Sequence, residues 1–192
     1  MSEPIPIYLI NGFLEAGKTT FIRPMLEGGD FTEDERTLLL MCEDGEEEYD
    51  EQALQYHDVT RLTVDKESDV TPEFFRSLKK KYRPTQIVIE WNGMWTLENL
   101  VKQLPREFDL YQIVTLVDAS TFEAYVANMG AIMMEKIMNT DMVIFNRCTD
   151  ELKEQLRKRN LKMVNRRAEM YLEFSPDRAE PYDSGVPPFD MS

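Results

Sequence analysis

The sequence predicts an α/β fold in which helices cover both faces of a mostly parallel central sheet. Short, nearly all-apolar runs recur along the chain and alternate with stretches that have helical periodicity. Such apolar strands are typical of parallel sheets, because these are buried on both faces. A glycine-containing run between the first strand and the first helix agrees with this fold, since ligands bind beyond the carboxyl ends of parallel strands.

The elements follow one another in a regular order. The first strand is predicted at Ile5–Ile10 and the first helix at Lys18–Glu27. The further strands are predicted at Leu38–Met41, Val59–Val64, Gln86–Glu90, Ile113–Val117 and Met142–Phe145. The further helices are predicted at Pro72–Tyr82, Leu97–Leu104, Phe122–Met138 and Glu151–Arg159.

Residues 12–19 read Gly-Phe-Leu-Glu-Ala-Gly-Lys-Thr, a complete G-x-x-x-x-G-K-[ST] run. In a strand–loop–helix context the glycines let the backbone turn tightly and present its N–H groups to phosphate oxygens. Lys18 would reach the β- and γ-phosphates, and the Thr19 hydroxyl would bind Mg²⁺. The run therefore predicts a nucleoside triphosphate site. The nucleotide-binding residues expected here are Gly12, Leu14, Glu15, Ala16, Gly17, Lys18, Thr19 and Thr20.

Because this run lies between a strand and a helix, we expect the fold to be the three-layer sandwich of a P-loop NTPase. Residues 1–174 are expected to form the nucleotide-binding domain, because the alternating strands and helices all lie within them. Residues 175–192 contain four prolines and no periodicity, and we expect them to form a C-terminal tail.

Composition and charge restrict the class of protein. The 192-residue chain has a net charge of −14, which argues against nucleic-acid binding because that relies on clustered Lys and Arg. No apolar run is long enough for a membrane span and no leader pattern is present, so a cytoplasmic protein is expected. Cys42 and Cys148 are expected to be buried free thiols. His57 is the only histidine, which excludes a multi-histidine metal site.

Acidic residues end or follow several predicted strands. Glu90 ends an apolar strand, as expected of a Walker B element whose carboxylate holds the Mg²⁺ shell, and Gly93 would place an N–H group near the γ-phosphate. Seven of the nine residues from 43 to 51 are acidic. This run is either a solvated loop or a switch loop that directs a carboxylate, such as Glu43, toward Mg²⁺ or an attacking water. Asp118 ends another strand, either as a helix cap or as a catalytic acid.

The segment after the strand at 142–145 is a candidate for recognising the base of the nucleotide. In many GTPases this strand ends in Asn-Lys-x-Asp, whose Asp accepts hydrogen bonds from guanine. Asn146 and Arg147 are present here, but Thr149 occupies the position of the acid and Asp150 follows one residue later. Asn146, Arg147 and Asp150 are therefore candidate base-binding residues. Guanine is favoured and adenine stays open.

In this order the motifs resemble those of the CobW-like family of P-loop GTPases, relatives of the UreG and HypB metallocentre-assembly GTPases. Residues 12–20 are similar to the family's G-F-L-G-S-G-K-T-T and residues 42–50 to its N-E-x-G-E…D loop. Later similarities are 90–93 to E-x-[ST]-G, 117–119 to V-D-A, 146–147 to the start of N-K-x-D, and 165–168 to N-P-x-A. The last implies that Asn165 lies near the base.

Two features of the family are not found. The stretch from 59 to 70, where its C-x-C-C metal motif is expected, contains no cysteine. The family's usual C-terminal domain is also not expected to follow residues 187–190. Both departures argue against metallochaperone activity.

The resemblance implies a slow, regulatory, Mg²⁺-dependent GTPase that controls a metal-handling or maturation step. Lys18 would stabilise phosphate charge, Thr19 and Glu90 would organise Mg²⁺ directly or through water, and Glu43 would position water or complete the ion's shell. The alternatives are an ATP-using small-molecule kinase and a non-catalytic, nucleotide-dependent interaction module. The partners considered are a protein client, including a metalloprotein, and a second copy of the chain.

Overall fold

The computed structural model describes residues 3–43, 45 and 48–183. The chain divides into two compact units, one ending at Ile113 and one beginning at Val114. The predicted α/β fold is confirmed, since parallel strands alternate with helices along most of the chain. Within the described ranges, no helix is both long and apolar enough to cross a membrane.

The first unit contains four parallel strands in the order β3-β2-β4-β1. Strands β2 and β4 are buried along their whole length, as their apolar sequences predict. The unit also contains the first residues of strand β5. Its elements are β1 (Ile5–Asn11), α1 (Lys18–Glu27), β2 (Thr37–Met41), α2 (Glu51–Tyr56), β3 (Val59–Thr63), a 3-10 turn (Glu67–Asp69), α3 (Pro72–Tyr82), β4 (Gln86–Glu90) and α4 (Leu97–Gln103).

Helix α3 shows how local sequence and burial act together in this unit. The Thr71 hydroxyl accepts a hydrogen bond from the N–H of Phe74 at 3.1 Å, and Pro72 occupies the first turn, where its missing N–H costs nothing. Phe75 and Leu78 are buried in the core against the sheet. Trp91, directly after β4, is buried in the same core.

Within the second unit the strand order is β5-β6-β7-β8. Strands β5, β6 and β7 pair in parallel, and β8 pairs antiparallel with β7. Helix α5 has non-helical backbone angles at Met129 (φ −139°, ψ 37°), which interrupt the predicted helix. The elements are β5 (Phe108–Asp118), α5 (Phe122–Met138), β6 (Met142–Asn146), α6 (Asp150–Lys158), a 3-10 turn (Leu161–Met163), β7 (Glu169–Ser175) and β8 (Arg178–Pro181).

One α-helix and two strands were not predicted: α2, β7 and β8. Strand β8 lies inside the stretch predicted as a tail, and Tyr182 beyond it is buried, with its hydroxyl donating to the Leu156 carbonyl at 2.9 Å. Residues 184–192 of that stretch lie outside the described residues. Cys42 and Cys148 are buried and free, as predicted.

Candidate nucleotide-binding site

The glycine-containing run joins the carboxyl end of β1 to the first residue of α1. Gly12 and Gly17 have positive φ angles of 145° and 95°, which a residue without Cβ adopts with little strain. Gly17 is the N-cap of α1 and provides no side-chain acceptor for the first N–H groups of the helix. The loop therefore ends at a helix terminus that favours an anion.

Lys18 is the buried cation of this loop, with only 3% of its side chain exposed. Its ammonium donates to the carbonyl oxygens of Gly12 at 2.6 Å and Phe13 at 3.1 Å, and it forms an ion pair with Glu43. Burial lowers the pKa of Lys18, while the carboxylates of Glu43 and Glu90 oppose that effect. The loop thus holds a desolvated positive charge that attracts an anion strongly.

Glu43 brings the acidic run onto the glycine loop. One carboxylate oxygen accepts from Lys18, and the other accepts from the backbone N–H of Gly93 at 3.3 Å. The sequence predicted both of these donors as phosphate ligands. Lys18 and the Gly93 N–H therefore bind the two oxygens of one carboxylate, and their role toward phosphate stays a prediction.

Gly93 lies against the loop so closely that only glycine fits. A Cβ atom there would be 2.6 Å from the Gly12 carbonyl oxygen and 2.7 Å from the Phe13 Cα atom. The N–H of Trp91 donates to the Ile10 carbonyl at 2.9 Å and extends the pairing of β4 with β1. This pairing holds the segment after β4 beside the loop.

Thr19, Glu90 and Tyr49 form a second buried cluster. The Thr19 hydroxyl donates to Oε1 of Glu90 at 2.6 Å, and the Tyr49 hydroxyl donates to Oε2 at 2.8 Å. The exposed fractions of the three residues are 7%, 2% and 5%. Burial and the neighbouring Glu90 raise the pKa of Tyr49, with Thr19 acting in the opposite direction, so the phenol stays a donor. A carboxylate and hydroxyl oxygens are ligands that suit Mg²⁺.

The acidic run is attached at both of its described ends. At its far end the N–H of Asp50 donates to Glu27 of α1 at 2.8 Å, and its carboxylate caps α2 by accepting from Gln52 and Ala53. Glu43 is therefore not a solvated residue, and its role toward Mg²⁺ or an attacking water stays a prediction. Asp44, Glu46 and Glu47 lie outside the described residues.

The other predicted P-loop residues are not equally placed. Leu14, Glu15 and Thr20 are exposed, and Glu15 has a φ of 62°. Ala16 is buried, and its N–H donates to the Phe13 carbonyl at 3.1 Å. Burial therefore separates Ala16 and Lys18 from the exposed Leu14, Glu15 and Thr20.

In the second unit, the ends of β5 and β6 lie side by side. Asp118 is the register partner of Asn146, and its carboxylate forms an ion pair with Arg147 at 2.5 Å. Burial raises the pKa of Asp118, but hydrogen bonds from Ser120 and Arg147 outweigh it and leave the pKa lowered. The helix-cap interpretation of Asp118 is wrong, because Thr121 is the N-cap of α5 and the carboxylate binds Ser120 and Arg147 instead.

The residues after β6 have structural partners. The Thr149 hydroxyl accepts from the N–H of Leu152 at 3.2 Å and caps α6. Asp150 is 84% exposed and forms an ion pair with Arg178 at 3.5 Å. The position where many GTPases have a guanine-binding acid is thus occupied by a helix cap.

Asn165 connects several backbone segments of the second unit. Its amide nitrogen donates to the carbonyls of Ile137, Met138 and Thr140, and its oxygen accepts from the N–H groups of Arg167 and Ala168. This is a structural role for the amide. The interpretation of Asn165 as a base-binding residue stays a prediction.

Tyr49 was missed by the sequence interpretation. It is the one aromatic residue among the acids of 43–51, and that difference in polarity is the only signal that could have found it. Its contact with Glu90 joins residues 41 positions apart in the chain, which no local pattern specifies.

With this geometry established, the chain can be compared with known proteins. The family model described as the CobW/HypB/UreG nucleotide-binding domain matches residues 6–172. The chain belongs to the CobW/HypB/UreG family. Among curated proteins, no sequence matches it.

Similar solved structures agree on the fold. Zn(II)-bound YjiA GTPase from E. coli is 23% identical with a TM-score of 0.66, over 88% of this chain and 57% of YjiA. Hydrogenase maturation factor HypB from Archaeoglobus fulgidus is 16% identical with a TM-score of 0.57, over 88% of this chain and 80% of HypB. Cell division protein FtsY from Thermotoga maritima is 12% identical with a TM-score of 0.52, over 96% of this chain and 67% of FtsY. The chain thus spans less than two thirds of the YjiA structure.

Proposed function

We propose that this CobW/HypB/UreG-family protein is a Mg²⁺-dependent, regulatory GTPase. The observation that carries the proposal is the convergence of the Lys18 ammonium and the Gly93 N–H on one carboxylate beside the glycine loop. A donor pair of this kind, on a buried cation and a backbone that only glycine permits, suits the terminal phosphates of a nucleotide.

Each residue has a distinct part in this proposal. Lys18 and Gly93 bind phosphate oxygens, which displaces Glu43 from both donors. Thr19 and Glu90 would hold Mg²⁺ directly or through water, and the ion would supply charge neutralisation on the phosphates. Glu43, once displaced, positions water or completes the shell of the ion. Catalysis consists of positioning and electrostatics, which is the usual division of labour in phosphoryl transfer.

The choice of guanine rests on family membership more than on geometry. Asn146 and Arg147 follow the family pattern, but Thr149 caps a helix and Asp150 is directed to Arg178. These contacts keep the ATP-using alternative open. Competition between GTP and ATP for a fluorescent nucleotide analogue separates the two, and an ATP preference would replace GTP in the proposal.

The regulatory part of the proposal comes from the relatives. HypB is a hydrogenase maturation factor and YjiA has been observed with Zn(II). A slow GTPase that acts on a protein client, in a maturation or metal-homeostasis step, is consistent with what is stated of these two proteins. Multiple-turnover phosphate release in the presence of Mg²⁺ tests it, and binding without any turnover would favour the non-catalytic interaction module.

Replacing Lys18 with Ala tests nucleotide binding. We expect a loss of affinity for GTP of about 100-fold, because each charged hydrogen bond contributes about 1.5–3 kcal/mol and the cation would contact more than one phosphate oxygen. The measurement is a titration with a fluorescent GTP analogue. Lys102→Ala, which removes an exposed lysine of α4 paired with Glu98, is the matched control and should bind normally. Equal affinity of K18A and the native chain would contradict the assignment.

A further inference from the structure

The hydrogen bond between Tyr49 and Glu90 has no part in the function described so far. Glu90 is 2% exposed and each of its carboxylate oxygens has one hydroxyl partner, Thr19 on Oε1 and Tyr49 on Oε2. A carboxylate with only one such partner can rotate about its terminal bond. The second partner holds the plane of the carboxylate, so that Oε1 stays directed toward Thr19.

Tyr49 is itself held in place from its other side. It precedes Asp50, whose N–H donates to Glu27 of α1 at 2.8 Å and whose carboxylate caps α2. Tyr49 is 5% exposed, so its ring is packed as well as hydrogen-bonded. The hydroxyl therefore reaches Glu90 from a buried ring next to a hydrogen-bonded backbone, which suits a residue that orients a metal ligand.

We propose that Tyr49 is the positioning residue for the Mg²⁺-side carboxylate Glu90, holding it with Thr19 in the orientation that receives the ion. The proposal rests on the proposed function, because it assigns Mg²⁺ to Thr19 and Glu90. Tyr49 would not contact the nucleotide or the reacting atoms. Its effect is specific: it tightens Mg²⁺ binding to the nucleotide complex and leaves nucleotide binding without Mg²⁺ unchanged.

The experiment compares the native chain with Tyr49→Phe, which keeps the ring and removes only the hydroxyl. Each protein is saturated with a non-hydrolysable GTP analogue in the presence of a chelator, and Mg²⁺ is then titrated in. Tryptophan fluorescence gives the readout, since Trp91 follows Glu90 directly and stacks edge-on against Trp95 at 5.2 Å. We expect about tenfold weaker Mg²⁺ binding in Y49F, the effect typical of losing an outer-shell partner.

The matched control is Tyr56→Phe, the same change at a tyrosine of α2 that is 84% exposed, and it should titrate as the native chain does. A tyrosine that only packs the loop would change thermal stability or Mg²⁺-free nucleotide affinity without a specific loss of Mg²⁺ affinity. Equal Mg²⁺ affinities of Y49F and the native chain would overturn the inference alone. A native chain that binds no nucleotide would overturn the proposed function and the inference with it.

A second measurement does not depend on the folding of Y49F. Site-specific incorporation of 3-fluorotyrosine at position 49 retains the hydroxyl and places a ¹⁹F nucleus beside it. Adding Mg²⁺ to the analogue complex should shift this resonance, because the Glu90 carboxylate that accepts its hydrogen bond then shares its charge with the ion. The same label at Tyr56 should not shift. No shift at position 49, under conditions where Mg²⁺ binds, would count against a positioning role.

Discussion

In the proposed function, phosphate would compete with Glu43 for the Lys18 ammonium and the Gly93 N–H. Lys18 is nearly buried, and an uncompensated buried ammonium is costly. The Glu43 carboxylate compensates it in the structure, while a terminal phosphate would do so in a nucleotide complex. Nucleotide binding must therefore break the Lys18–Glu43 ion pair, and part of the gross binding energy is spent on that exchange.

Glu43→Gln should accordingly raise nucleotide affinity measured without Mg²⁺, by about tenfold. The reason is that the neutral amide competes less well for Lys18. A tenfold change corresponds to about 1.4 kcal/mol, slightly less than the roughly 1.5–3 kcal/mol of a hydrogen bond to a charged group. Titration with a fluorescent GTP analogue in the presence of a chelator measures it. Turnover with Mg²⁺ should fall, since the proposed role of the carboxylate beside the ion is lost.

Glu48→Gln is the matched control for that substitution, since it neutralises an exposed carboxylate of the same acidic run. It separates the local contact of Glu43 from a general reduction of negative charge. If E48Q raised affinity as much as E43Q, long-range repulsion of the nucleotide would explain both results and the competition at Lys18 would be refuted.

The ends of β5 and β6 are joined by the Asp118–Arg147 ion pair, which predicts a dependence of stability on pH. The folded-state pKa of Asp118 is lowered, so the stabilisation is complete above its unfolded pKa of about 4 and is lost as pH falls through the folded value. Because Arg147 is 52% exposed, solvent screening limits the contribution to less than about 1 kcal/mol.

Asp118→Asn tests this dependence through urea midpoints measured between pH 7 and pH 2. The variant should be slightly less stable than the native chain at neutral pH, and the difference should disappear at the acid end, where the native carboxyl is protonated. Asp109→Asn, on the exposed part of the same strand, serves as the control. A difference between D118N and the native chain that is constant across this range would show that charge is not its cause.

The elements that were predicted correctly are those with purely local signals. β4 is a run of apolar residues, and α3 has a Thr-Pro start and a helical apolar face, so both have the predicted bounds. β7 was missed because it alternates buried and more exposed residues, as in a strand with one exposed face, whereas most of the predicted strands are nearly all apolar. α2 is only six residues long and begins inside an acidic run. Its N-cap, Asp50, could not be distinguished from the neighbouring acidic residues.

The residues of the candidate site also differ in how far the sequence predicts them. Lys18, Thr19 and Glu90 were predictable because a strand, a loop and a helix place them by local geometry. Which of the acids of 43–51 would reach Lys18 was not predictable, since that depends on tertiary contacts, including the fit of Gly93 against Gly12. The contact of Tyr49 with Glu90 is tertiary for the same reason.

The chain as a whole combines strong negative charge with a site for an anion. At a net charge of −14 the average field repels a nucleotide, so binding depends on local donors that outweigh it. Lys18, the Gly93 N–H and the terminus of α1 provide such donors in the first unit. Mg²⁺ would add further positive charge at Thr19 and Glu90, so we expect nucleotide affinity to rise when the ion is present.

Nucleotide binding, and its dependence on Mg²⁺, can be measured as an increase in the thermal stability of the folded chain. With Mg²⁺ and GTP at about 100 times the dissociation constant, binding should stabilise the folded chain by about 2.7 kcal/mol. For a protein of this size that corresponds to a rise in melting temperature of about 5–11 °C. Chelation of Mg²⁺ should reduce the rise, and K18A should show almost none.

The same melting experiment decides the base. Thr149 caps α6 and Asp150 contacts Arg178, so discrimination against adenine lacks the acid that many GTPases use. If family membership governs the choice, GTP should raise the melting temperature more than ATP at equal concentration. Thr149→Asp retains a side chain that can cap the helix and adds the missing carboxylate, so it should widen the gap between GTP and ATP. A larger shift with ATP in the native chain would identify an ATP-using enzyme. The hydrogen-bond donors of the first unit would contact phosphate oxygens, which GTP and ATP share, so they do not select the base.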